Sequence, residues 1–250
     1  MLKRSELVDW LDGHLLGSHA RDSAINGLQV EGAEEVDHLV IAVDACQYTI
    51  DRAAELGAQM MFVHHGIFWG RESALVGPHG KRVRALNVAG INLYAAHLPL
   101  DSHPTMGNNS ELARLLGLTD VKPFGDYNGE PVGSSGRSNP VSRDELANRI
   151  SNLLSHKVQV LPFGPETIQR ISMVSGGGSQ SIGEAINGGF DLLITGEAPH
   201  YAYFDAEEGG INLFLAGHYA TETLGVKAFG EAITRKFGIE VTFVDHPTGL

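Results

Sequence analysis

A single cysteine, Cys46, stands in 250 residues, so no intramolecular disulfide can form and no cysteine-based zinc knuckle is available. Basic residues are scarce as well: 18 Lys plus Arg face 30 Asp plus Glu, giving a formal charge of −12. This balance argues against sequence-independent nucleic-acid binding, which depends on neutralising phosphates. No apolar run approaches the roughly 20 residues of a membrane span, and acids interrupt the first dozen positions where a signal core would lie. These absences predict a soluble cytoplasmic protein. Gly176-Gly-Gly178 has neither a following Gly-Lys-Ser/Thr nor dinucleotide spacing, so it matches a phosphate-cradling loop poorly. Backbone room beside a functional site explains those glycines equally well.

What the chain does contain is enough apolar residue, 42%, to bury a core, arranged in alternating strand and helix patterns. That alternation is the mark of parallel α/β architecture. Ser5 is placed to cap a helix whose Leu7, Trp10, Leu11 and Leu15 share one face. Gln29 to Glu31 and His38 to Val43 read as strands, and Asp44 begins a turn. Tyr48 to Leu56 reads as a short helix stopped by Gly57, after which Met60 to Val63 forms a buried strand that delivers His64 and His65. Lys81 to Ala89 is helical up to Gly90. Ile91 to Ala96 is a further strand, ending in His97 and leading to Asp101.

From about Thr119 to Pro140 the composition shifts to Pro, Gly, Asn and Ser, which sets the expected boundary between two αβ lobes, 1–125 and 126–250. Ser142-Arg-Asp-Glu145 then matches a capping box and opens a helix to about Leu154. The two lobes read as an internal repeat. Ile50 to Gly57 lies over Ile182 to Gly189, Glu197 falls where His65 stands, and one inserted residue puts His97 over His218 and Asp101 over Glu222. Both halves thus carry His-x-x-x-acid after a strand. The expected fold is α/β, with two similar lobes supplying ligands from strand carboxyl ends to a metal site between them.

Imidazole and carboxylate suit zinc, iron, manganese and related divalent ions. A buried His-His pair could instead satisfy backbone carbonyls, and His218 with Glu222 at i, i+4 could be a plain helical ion pair. Successive strand residues point to opposite faces, so His64 and His65 do not easily chelate one ion unless the backbone turns there, and two ions are expected. With Asp101, His218 and Glu222 the set leaves positions open for water or substrate, as catalytic sites require. Hydrolysis is the natural reaction class for a two-ion centre. Glu197 and His97 are candidate proton carriers, Thr195 and Glu197 could equally cap the next helix, and Cys46 reads as packing. His14, His19, His38, His79, His103, His156 and His246 have no convergent partner in the sequence and read as surface or packing residues.

Asn26-Gly-Leu-Gln-Val30, Val43-Asp-Ala45, Val63-His-His-Gly66, Ala96-His-Leu-Pro-Leu-Asp101 with Gly107-Asn-Asn109, Thr195-Gly-Glu197 and Gly217-His-Tyr-Ala-Thr-Glu222 closely resemble the GTP cyclohydrolase 1 type 2 homologue family. The likeness runs nearly end to end, and the order and spacing of several motifs give it its strength. The resemblance implies a two-lobed αβ fold, ring-shaped homohexamers and a dinuclear metal centre. It implies metal contacts at His64, His65, Asp101, His218 and Glu222, with Glu222 as the bridge and His97 in a supporting or substrate role. The chain looks like the compact bacterial form without the inserted domain.

Two functions follow as expectations. The first is a metal-dependent hydrolase of a small nucleotide-like or heterocyclic substrate, with Glu197 or His97 moving protons. The second is a non-catalytic metal store, metal donor or ring-shaped scaffold. No basic cluster for a triphosphate and no base-reading motif picks out guanine.

Overall fold

Continuous apolar runs become strands buried on both faces, which is what parallel sheets covered by helices demand. The computed structural model describes residues 1–17, 21–71 and 73–250, so His19 lies outside the described residues. In chain order the strands are β1 (Leu2–Lys3), β2 (Gly27–Val30), β3 (Glu35–Val36), β4 (His38–Asp44), β5 (Met60–His65), β6 (Asn92–Ala95), β7 (Thr119–Tyr127), β8 (Glu130–Ser142), β9 (Gln159–Pro162), β10 (Thr167–Val174), β11 (Leu192–Thr195), β12 (Asn212–Leu215) and β13 (Glu240–Phe243). The helices are α1 (Arg4–Leu15), α2 (Gln47–Glu55), α3 (Gly77–Ala89), α4 (Leu98–Ser102), α5 (Asn108–Leu115), α6 (Arg143–Leu154), α7 (Ile182–Asn187), α8 (Ala202–Gly209) and α9 (His218–Phe237). The chain divides into two units, Met1–His103 with Gly225–His246 and Pro104–Leu224 with Pro247–Leu250.

The first unit is built on a five-stranded sheet of order β13-β4-β5-β6-β2. Its first four strands are parallel, and β2 closes the edge antiparallel to β6. Met60, Met61, Phe62 and Val63 are fully buried, in register with β4 on one side and β6 on the other. Ile50 of α2 and Leu86 of α3 share a core with Val40, Met61 and Leu93. Helix α1 begins at Arg4 after Lys3, which makes no side-chain cap; Ser5, expected to cap it, lies inside the first turn.

The second unit holds a six-stranded sheet of order β7-β8-β10-β11-β12-β9, with β10, β11 and β12 parallel. Ser142 caps α6 by accepting a hydrogen bond from Glu145 N, as its sequence pattern predicts. Leu146 and Ile150 of that helix join Ile171, Met173, Leu192 and Phe214 in the core.

The stretch expected to be a boundary, 119–140, is instead strand: the division falls after His103, and β7 and β8 form a long antiparallel hairpin. Tyr127 pairs with Glu130 around Asn128-Gly129, both with positive φ (58° and 93°), the two-residue turn that Asn-Gly favours. The glycines that suggested a loop serve close packing. A Cβ at Gly133 would collide with Met173 O, and one at Gly136 would sit 3.0 Å from Thr119 O.

The repeat is visible in topology. β4-β5-β6 with antiparallel β2 in one unit matches β10-β11-β12 with antiparallel β9 in the other. It extends upstream of the segments that match in sequence, through one buried asparagine in each. Asn92 Nδ2 donates to Gln59 O (2.9 Å) and Ala33 O (2.8 Å), and its Oδ1 accepts from Gly32 N (2.7 Å) and Arg4 Nη1 (3.5 Å). Asn212 Nδ2 donates to Asp191 O (3.0 Å) and Pro165 O (2.8 Å), and its Oδ1 accepts from Gly164 N (3.2 Å) and Arg143 Nη1 (3.4 Å). In both cases an arginine at a helix start, a glycine and the first residue of the third strand meet at one amide.

Candidate metal centre

In the first unit the carboxyl ends of β5 and β6 bring three imidazoles together. His64, His65 and His97 each offer a ring nitrogen, all within 4.8 Å of one another. β5 keeps its register with β4 as far as Asp44 and His65, and the His64 and His65 rings at its end come to 4.5 Å between centroids. Asp101, one turn into α4 from His97, places Oδ2 at 3.6 Å from His64 Nε2. Both of those side chains are buried.

Each ring is held through Nδ1. His64 Nδ1 lies 2.9 Å from Ala96 O, His65 Nδ1 2.9 Å from Asp44 Oδ1, and His97 Nδ1 2.9 Å from Asp22 Oδ1. With an oxygen acceptor at Nδ1, that nitrogen carries the proton and donates, and Nε2 is the remaining lone-pair donor toward a ligand. Asp22 also accepts from Ala24 N (2.9 Å), Asn26 Nδ2 (2.9 Å) and Leu98 N (3.1 Å). Burial alone would raise its carboxyl, but the hydrogen bond and charge of His97, with the Asn26 and Ala24 bonds, bring it down to about 2.

In the second unit the loop after β11 and the start of α9 carry the candidate ligands. His218 Nε2 stands 3.1 Å from Glu222 Oε1, and His218 Nδ1 3.0 Å from Glu197 Oε1. The hydrogen bond to Glu222 outweighs burial and, with the Glu222 charge and Glu197, pushes His218 up to about 9. A place so favourable to positive charge fits a cation.

The loop Gly176-Gly-Gly178 is fastened by its backbone: Gly176 N donates to Thr221 Oγ1, Gly178 N to Thr195 Oγ1, and Gly176 O accepts from Gly196 N and Glu197 N. Gly176 has φ +60°, and a Cβ there would collide with Glu222 Oε1 and approach His218 Nε2 to 3.1 Å. Gly176 therefore leaves room at His218 and Glu222.

The structure thus gathers His64, His65, His97 and Asp101 in one unit and Glu197, His218 and Glu222 in the other. Thr195 is buried and bonded to the glycine loop rather than capping a helix. Cys46 stands just before α2, its N–H bonded to Thr49 Oγ1. Sequence reasoning missed Asp22 and read Asp44 only as the start of a turn. Asp22 carries no local signal, being 75 residues from His97. Asp44 pairs in register with His65, so the β4–β5 alignment held the clue.

The donor set fits a divalent ion: imidazole nitrogens oriented through Nδ1, carboxylates beside them, and no side chain at 176. This constellation, at the carboxyl ends of parallel strands, is a candidate metal-binding group in an α/β protein. The model of the Duf34/NIF3 (NGG1p interacting factor 3) family matches residues 2–249, and the chain belongs to that family. A relative in Deinococcus radiodurans, called GTP cyclohydrolase 1 type 2 homolog, is 43% identical over 248 residues, covering 99% of this chain and 94% of the relative. Another of that name in Pyrococcus horikoshii is 47% identical and covered in full on both sides. The solved structure of TTHA1606 from Thermus thermophilus superposes with a TM-score of 0.93 at 38% identity, covering 100% of both chains.

Proposed function

We propose that this protein is a metal-dependent hydrolase acting on a small nucleotide-like or heterocyclic substrate. One observation carries the reading: three imidazoles with nitrogens mutually within 4.8 Å, and a buried carboxylate beside one of them, converge at the carboxyl ends of parallel strands. In parallel α/β sheets that edge is where ligands bind. The name shared by the curated relatives supports cyclohydrolase-like chemistry.

His64, His65, Asp101, His218 and Glu222 would hold two divalent ions, zinc, iron or manganese. Bound there, such ions supply Lewis acidity and acidify water near neutral pH. The chain's own groups supply the rest. His97, with Nδ1 donating to Asp22, can take a proton at Nε2 and return it, the task of a general base and then acid. Glu197 accepts from His218 through Oε1, and its other oxygen can receive a proton from solvent. We also propose that the chain works as a homo-oligomer in the cytoplasm; the described residues include no helix long and apolar enough to cross a membrane.

The test is elemental analysis of protein purified without added metal, combined with a turnover screen over nucleotides and cyclic amides. We expect bound divalent metal and hydrolysis of at least one substrate that stops on chelation and returns with metal. Freely exchanging metal with no turnover across the screen would overturn the enzyme reading in favour of a store or donor, and protein that binds no metal would remove both.

A further inference from the structure

Two of the three clustered imidazoles owe their orientation to carboxylates distant in sequence. Asp44, the last residue of β4, is in register with His65 and receives its Nδ1 at 2.9 Å. Asp22 receives His97 Nδ1 at 2.9 Å, and the same short segment holds the main chain on either side of that ring. Asn26 Oδ1 accepts from His97 N at 2.7 Å, and Asp22 Oδ2 accepts from Leu98 N at 3.1 Å. Asp22 is itself held by Ala24 N and Asn26 Nδ2, and its side chain is only 2% exposed. A carboxylate so fully engaged cannot swing away, so the ring it holds cannot turn.

A neutral imidazole has two tautomers, and only the nitrogen without hydrogen can accept a proton or an ion. An ionised carboxylate accepts hydrogen bonds and donates none, so opposite Nδ1 it selects the Nδ1–H form. An amide in its place can rotate, donate through its NH₂ group and stabilise the wrong tautomer; the loss of activity when a triad aspartate becomes asparagine has this origin. Glu197 stands to His218 Nδ1 at 3.0 Å in the second unit, so the same device recurs there.

We propose that Asp22 and Asp44 are positioning residues, which fix His97 and His65 in the Nδ1–H tautomer and so present Nε2 of both rings to the cluster. Asp22 and Asp44 touch neither ion nor substrate; they act through the ring beside them. This inference rests on the metal-centre reading above for its purpose, but the tautomers can be read without metal.

The test uses the full-length chain and the variants Asp22→Asn and Asp44→Asn, with two measurements. Zinc affinity is obtained by competition against a chelator of known affinity, and ¹⁵N shifts of the His65 and His97 rings are recorded in metal-free protein at a pH where the rings are neutral. We expect the wild type to show Nδ1–H at both rings. Each variant should shift its own ring toward Nε2–H and bind zinc roughly ten- to a hundredfold more weakly. Asp44 is the more exposed of the two, with its side chain 36% accessible, so Asp44→Asn carries the test if Asp22→Asn does not fold. Folded variants with wild-type zinc affinity and unchanged ring shifts would overturn the proposal. If the wild type binds no zinc, the metal reading fails, and the ring shifts alone decide whether the carboxylates set the tautomers.

Discussion

Gly176 shows how one missing side chain can define a site. Its φ of +60° is a backbone conformation that other residues adopt only at a cost of about 1–2 kcal/mol. Gly210 ends α8 with nearly the same φ, +64°, and a Cβ added there would meet nothing within 4 Å, whereas a Cβ at 176 would strike Glu222. Alanine at each position therefore separates strain from obstruction. Gly210→Ala should lose about 1–2 kcal/mol in urea unfolding; Gly176→Ala should lose more, and it alone should also lose bound metal by elemental analysis. Equal metal content in the two would show that the space beside His218 and Glu222 is not needed. The glycine run was visible in the sequence, but its purpose was not: a phosphate cradle and backbone room look alike until the loop is seen fastened over His218 and Glu222.

Among the secondary elements, the strands that end in candidate ligands were the most legible, because uninterrupted apolar runs such as Met60 to Val63 have few other places to go. The hairpin of β7 and β8 was the least legible, since Gly133 and Gly136 read as loop formers while they actually admit neighbouring backbone. Tyr127-Asn-Gly-Glu130 was the available signal, a two-residue turn flanked by strand partners. The repeat could be read from Ile50 onward, where residue types match, but not back to Arg4 and Arg143, because the loops between matching positions differ in length. Asn92 and Asn212 make those upstream halves equivalent. Both are fully buried, and truncating either leaves main-chain N–H and C=O groups without their partner. Such a loss costs about 1–3 kcal/mol per unsatisfied group, so Asn92→Ala and Asn212→Ala should each lower the urea midpoint markedly and by similar amounts. A variant within about 0.5 kcal/mol of wild type would show that the amide is not the tie that its hydrogen bonds describe.

For the chain as a whole, the proposed ion binding would be linked to folding. Within each unit the candidate ligands come together only on folding, and the formal charge of −12 adds a general attraction for cations. At a hundredfold excess over the dissociation constant, ligand binding adds about 2.7 kcal/mol, which for a chain of this length raises the melting midpoint by roughly 5–10 °C. Calorimetry before and after exhaustive chelation should show that drop and its reversal by added zinc or manganese; an unchanged midpoint would contradict the linkage. The candidate ligand residues could be picked out because their chemistry is rare and their spacing local, His64 beside His65 and His218 four residues before Glu222. Their carboxylate partners could not, because Asp22 reaches His97 only through the folding of everything between them.

The paired asparagines separate framework from function along the chain. Everything that Asn92 and Asn212 tie together lies at the amino ends of the third strands, while the chemistry begins only past Ala96 and Ala216 at the opposite ends. The main-chain bonds Ala96 N to Val63 O and Ala216 N to Thr195 O set His65 level with Glu197, an imidazole in one copy and a carboxylate in the other. One scaffold thus carries two vocabularies, an unchanged frame beneath and different chemistry at its tips.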